Sequence, residues 1–213
     1  DQSLRFVRDE GRCVGSSFGR AALLEGAEAT KAAVRARWSR ARAVHFACHA
    51  DLPAGQPRAA RIELPSGEEW TAAEWVEESG ASGIPLVTLS ACRSAELAEL
   101  FGRDVFGLVG GVLAAGARAV VAGLWSVPDR ETRDLMARFY RHLMRLDPAD
   151  ALAQTQRDAI RAGGPESHPL AWGVFTFQGD PDAWPCPPRW LDRWTRARQD
   201  AHREACLAIL ASP

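Results

Sequence analysis

Pro85-Leu86-Val87-Thr88-Leu89-Ser90-Ala91-Cys92 carries the clearest strand signal in the chain. Leu86–Leu89 are large apolar or β-branched residues. The proline before them disfavours helix at the preceding position, and three small residues follow. Upstream, Val44-His45-Phe46-Ala47 is a second short apolar run, and it ends in Cys48-His49. Downstream, Ala119–Leu124 is almost continuously apolar, as a strand covered on both faces requires. Val174-Phe175-Thr176-Phe177 reads as a last strand, ended by Gly179.

Helical patterns lie between these strands. Ala29, Ala32, Ala33, Ala36 and Trp38 recur at helical spacing over about 27–42. Ile62 and Leu64 suit a short strand. Thr71 with Glu74 three residues later is a capping box opening a helix to about Glu78. Val105–Ala115 is a glycine-rich helix stopped by Gly116. Pro128 precedes an amphipathic helix at about 129–146, with Leu135, Met136, Phe139, Tyr140 and Leu143 as its stripe. Another helix follows Pro148, at about 149–162. Strands alternating with helices predict an α/β domain with a mainly parallel central sheet. In such sheets, ligands sit at the carboxyl ends of the strands. Two strands, 43–47 and 86–90, end in reactive side chains, His49 and Cys92. If the strands are neighbours, both side chains reach one crevice.

Composition sets the outer bounds. At 213 residues one domain with an appendage is expected, since domains run to roughly 150 residues. With 46% hydrophobic and 25% charged residues, the chain is not disordered. A formal net charge of −1 argues against nucleic acid or a membrane surface bound through bulk charge. The five cysteines are scattered, with no CxxC pair, so neither a disulfide framework nor a zinc ribbon is expected. No apolar run reaches the ~18 residues of a membrane span. The chain opens at Asp1 with no signal-peptide pattern, so a cytoplasmic location and a fragment or processed chain are expected.

A thiol attacks well only as thiolate, and a nearby imidazole can take its proton. A Cys nucleophile and a His base at adjacent strand ends suit acyl transfer. The turn Ser90-Ala91-Cys92-Arg93 offers the Cys92 backbone N–H to a developing oxyanion. On these residues alone, Cys92 reads more readily as a small buried hydrophobe than as a nucleophile.

Several motifs in order then carry a resemblance. His45-Phe46-Ala47-Cys48-His49 is similar to the histidine motif of the CHAT peptidases, in the caspase/separase-like cysteine peptidase clan. Leu89-Ser90-Ala91-Cys92 resembles their nucleophile strand. Leu113–Arg118, Val120–Trp125 and Val127-Pro128-Asp129 resemble the segment after it. His168-Pro169, Trp172 and Gly179-Asp180 resemble the final strand, and Glu28–Lys31 fits before the first helix. The resemblance spans about 25–180. It implies a caspase-like three-layer α/β/α sandwich and a cysteine endopeptidase needing no cofactor. It implies His49 as general acid or base and Cys92 as nucleophile. The family usually has glycine after the histidine. Here Ala50 stands there, and its N–H would be the second oxyanion donor.

The resemblance further implies a protein or peptide substrate. It also implies a regulated bacterial effector, for instance in defence or programmed cell death, with a sensor or scaffold module such as tetratricopeptide repeats outside these residues. Asp129 stands where separase-like enzymes place an acidic specificity residue, which would select arginine or lysine before the scissile bond. Its rival role is that of an acid at a helix N-terminus. Asp51 and Glu96 are further pocket candidates. Cys48, His49 and Cys92 match no standard zinc pattern, so no metal is expected. His45 reads as a satisfied structural histidine, on the face of His49 if the strand is regular. Outside 25–180 lie an unread segment, 1–24, and a tail, 181–213. In that tail Trp190, Trp194, Ala197, Ala201, Ala205 and Ala208 predict a helix over 189–210. The contrasting function is a non-catalytic interaction or scaffold module with the same fold, favoured by Ala50. A third is a cysteine-dependent acyl hydrolase or transferase acting on something other than a peptide.

Overall fold

The computed structural model describes residues 7–18, 21–38, 40–51, 53, 56–78, 84, 86–90, 103–125, 129–184 and 206–210, with positions 57, 103–106, 129 and 206–210 described by backbone. In chain order these hold α1 (Val7–Ser16), β1 (Ala21–Glu25), α2 (Lys31–Trp38), β2 (Ala43–Ala47), β3 (His49–Asp51), β4 (Arg61–Glu63), β5 (Glu69–Thr71) and α3 (Ala72–Glu77). There follow β6 (Leu86–Leu89), α4 (Arg103–Ala114), β7 (Ala119–Gly123), α5 (Asp129–Leu143), α6 (Pro148–Ala162), α7 (Pro169–Trp172), β8 (Phe175–Gly179) and β9 (Cys206–Leu210). Among the described residues, the central sheet has the order β1-β9-β2-β6-β7-β8. Every pairing in it is parallel except β7 with β8.

Alternation along the strands sorts side chains to two covered faces. Val44, Phe46, Val87, Leu89, Val120 and Ala122 pack with Trp38, Trp75 and Val112 from α2, α3 and α4. Ala43, Leu86, Ala119 and Val121 pack with Val14 of α1, Met136, Phe139 and Tyr140 of α5, and Ala151 of α6. This is the expected α/β sandwich. Its central strands are apolar on both sides because helices cover both sides. Each large side chain buried this way contributes about 1.5–3 kcal/mol, and the stripe of α5 supplies several.

Local chemistry sets the ends of the elements. Thr71 accepts from the Glu74 backbone at 3.2 Å, and Glu74 accepts from the Thr71 N–H at 2.8 Å, so the capping box forms as read. Asp147 caps α6 by accepting from Asp150 N–H at 2.9 Å, and Pro148 fills the first helical position. Gly116 stops α4 with a φ of 106°. Gly179 ends β8 with a φ of 113°, where a Cβ would collide with the Arg118 carbonyl.

Three features differ from the sequence expectations. Residues 1–24, unread in sequence, contain α1 and nearly all of β1. Residues 206–210, expected to finish a helix, form β9, inserted between β1 and β2. The reason is that Cys-Leu-Ala-Ile-Leu is a short unbroken apolar run. Periodicity cannot assign such a run, and a strand paired in parallel on both sides accommodates it. Finally, the histidine strand is not regular through His49. β2 ends at Ala47, and His49 opens β3 in a second, antiparallel sheet with the order β3-β4-β5. His45 and His49 therefore belong to different sheets.

Candidate active site

The parallel register fixes the main point. β2 and β6 are direct neighbours, paired from Ala43↔Leu86 to Phe46↔Leu89, and the Ser90 N–H donates to the Phe46 carbonyl at 2.8 Å. His49 follows the end of β2 and Cys92 follows the end of β6, each three positions beyond the last register pair. β7 lies on the other side of β6 and ends at the same level, with Leu89↔Ala122. The carboxyl ends of β2, β6 and β7 thus converge at one edge of the sheet, where the topology rule places ligands.

His49 is half-buried at the start of β3. The small sheet exists because Ala50, Ile62 and Trp70, in register across its three strands, are all buried. Ile62 and Trp70 join Phe46, Trp38 and Trp75, and Trp70 stacks on Trp75 with centroids 3.8 Å apart. That aromatic block anchors the inner face. The alternate residues His49, Asp51, Arg61, Glu63, Glu69 and Thr71 fall on the other face. Ala50 lies in extended strand backbone, which alanine adopts without strain, so the glycine usual at this position is not required by conformation here.

The sequence candidates fall out unevenly. Asp51 is in register with Arg61 and ion-paired to it, and Arg61 Nε also lies 3.2 Å from Glu69. Its carboxylate is therefore engaged within the sheet, a pairing no local pattern announced. Asp129 is the first residue of α5, following β7 at the same sheet edge. Cys92 and Glu96 lie outside the described residues. Trp125, just past β7, donates from Nε1 to the Leu170 carbonyl at 2.8 Å and so ties that edge to α7.

Cys48 is chemically separate from the candidate nucleophile. It is buried, and burial, with the Glu63 carboxylate nearby as the lesser cause, pushes its thiol up to about 12. It stays a protonated thiol at neutral pH, neither nucleophile nor ready metal ligand. Among the described residues, no group of three or more His, Cys, Asp or Glu side chains is placed to hold a metal ion. No helix among them is long and apolar enough to cross a membrane.

Sequence reading missed a buried polar chain beneath the site. Glu10 Oε1 meets His45 Nε2 at 3.0 Å, His45 Nδ1 meets Tyr140 Oη at 3.2 Å, and Tyr140 donates to Thr88 Oγ1 at 2.8 Å. His45 is a satisfied histidine, as expected, but its two partners come from two other elements, α1 and α5.

The family model of the CHAT domain matches residues 2–180. It takes in α1 and β1, which the motif-by-motif resemblance left out. No curated protein matches the chain.

Proposed function

Because the chain belongs to the CHAT domain family, which is related to the caspase-like cysteine peptidases, we propose that it is a cysteine endopeptidase working through His49 and Cys92. The observation that supports this most is the pairing of β2 with β6, which brings the two strand ends together. In the proposed reaction, His49 takes the Cys92 thiol proton and the thiolate Sγ attacks the scissile carbonyl carbon. The carbonyl π electrons move to oxygen, and the backbone N–H groups of Cys92 and Ala50 hold that oxyanion. Collapse breaks the C–N bond as His49 gives a proton to the leaving amine. Water, deprotonated by His49, then attacks the thioester and releases Cys92 and the second product. No cofactor enters any step. In this reading the enzyme is a regulated effector switched on by a sensor or scaffold partner.

The test is covalent labelling with peptidyl acyloxymethyl ketones carrying basic, acidic or hydrophobic residues. Labelling of the wild type that is lost in Cys92→Ala is expected. Absence of Cys92-dependent labelling by every probe overturns the proposal for the isolated domain. Labelling that needs an added partner protein identifies gated activity.

Asp129, the first residue of α5, is the proposed specificity residue. Asp129→Ala should lower kcat/KM for substrates with arginine before the scissile bond at least about tenfold, since a charge-assisted contact contributes roughly 1.5–3 kcal/mol. A neutral residue at that position should be cleaved as before. An unchanged preference assigns Asp129 to capping α5 alone.

A further inference from the structure

The buried chain Glu10–His45–Tyr140–Thr88 joins four elements: α1, β2, α5 and β6. All four residues are almost wholly shielded from solvent, at 3%, 0%, 0% and 0% exposure. Its middle has a particular geometry. His45 and Thr88 are register partners on adjacent strands, and a single atom, Tyr140 Oη, bonds both of them from α5. With the Tyr140 hydroxyl proton donated to Thr88, the oxygen accepts from His45 Nδ1–H. His45 Nε2 and Glu10 Oε1 then meet through one shared proton.

This row sits just below the point where the two strands part. The ladder ends one pair later, at Phe46↔Leu89. Past it, the chain from β2 turns into β3 and the chain from β6 runs on toward Cys92. His45 lies four residues before His49, and Thr88 lies four before Cys92. A slip of one residue in either strand would turn its polar side chain to the opposite face, against Phe46 and the tryptophans, and orphan the others. Within this chain the Glu10–His45 contact ties α1 to the histidine strand, so the seating of α1 and the spacing of the strand ends are coupled.

We propose that the Glu10–His45–Tyr140–Thr88 chain is the positioning element of the His49–Cys92 pair. It sets the separation and register of the strand ends from beneath without touching substrate. The proposal deepens the peptidase reading and rests on it for its kinetic arm.

The experiment compares Thr88→Val, Thr88→Ser and Tyr140→Phe in the full chain, by three readouts. These are thermal melting, the rate of Cys92 alkylation by iodoacetamide (wild type minus Cys92→Ala), and kcat and KM on a labelling-selected peptide. Thr88→Val keeps the shape but loses the hydroxyl, whereas Thr88→Ser keeps it. Thr88→Val and Tyr140→Phe are expected to slow alkylation and kcat about tenfold or more, with KM within about twofold, because small misplacements of reacting groups act on the chemical step. Thr88→Ser should restore both rates. Wild-type rates in Thr88→Val and Tyr140→Phe overturn the proposal. Equal losses in Thr88→Ser and Thr88→Val also overturn it, since packing alone would then explain them. Slowed alkylation in a protein that cleaves no peptide leaves the positioning role standing and removes the peptidase reading. No Cys92-dependent alkylation in the wild type removes both.

Discussion

Cys92→Ala is expected to reduce peptide hydrolysis by about 10⁴-fold or more, because in the proposed mechanism Cys92 forms the covalent bond to substrate. His49→Ala should lose about 10²–10⁴-fold, the usual contribution of a positioned proton donor and acceptor. The double variant should be no worse than Cys92→Ala alone. Residues that act as one unit are not additive: once the nucleophile is gone, the proton carrier has nothing to serve. Cys48 offers no rescue despite its place beside His49. Its thiol is buried and pushed up to about 12, so the thiolate fraction at neutral pH is negligible. Stopped or continuous peptide assays on the three variants, with matched melting curves, check this. Retention of the wild-type rate in Cys92→Ala would move the chemistry elsewhere. Equal, independent losses in each single variant, multiplying in the double, would break the dyad.

The strands that frame this chemistry were legible because burial on both faces leaves a sequence mark. Leu86–Leu89 is read from large apolar or β-branched residues between a proline and small residues, Ala119–Leu124 from apolar continuity, and β2 from a run interrupted only by His45. The Thr71–Glu74 capping box was equally legible, since its partners lie three residues apart. What sequence could not show is set by contacts far along the chain. Tyr140 reaches His45 across 95 residues and Glu10 reaches it across 35. No periodicity marks either partner. Tyr140 reads as one more member of an apolar stripe, and Glu10 lies in the unread segment 1–24. The Asp51–Arg61 pair, ten residues apart, depends on a register between three-residue strands too short to carry a pattern. The position of His49 just past the end of β2 was thus legible, whereas the pairing of Asp51 with Arg61 across the small sheet was not.

The second large effect is expected from the end of the chain. The family match stops at residue 180, yet the fold does not. Ala183 and Trp184 are buried, with Trp184 edge-on to Phe18 at 6.4 Å and Arg42 over its ring at 5.3 Å. Beyond them β9 pairs over five residues with β1 on one side and β2 on the other. Adjacent strands are about 4.8 Å apart, so its loss would leave β1 and the histidine strand roughly 10 Å apart, each with an open row of N–H and C=O groups. Ala208 is the sensitive position, in register with both Leu23 and His45. Proline there removes an N–H from the interior of a strand bonded on both sides, and its ring clashes with the ladder. A loss of about 3 kcal/mol is expected, which in a chain of this size lowers Tm by about 6–12 °C. Truncation after Trp184 should remove cooperative melting, and hydrolysis with it, because β2 loses its neighbour directly beneath the site. Calorimetry on Ala208→Pro and on residues 1–184 decides this. A truncated chain that melts and cleaves as the full one does would show that β9 is dispensable and that the matched domain closes its own sheet.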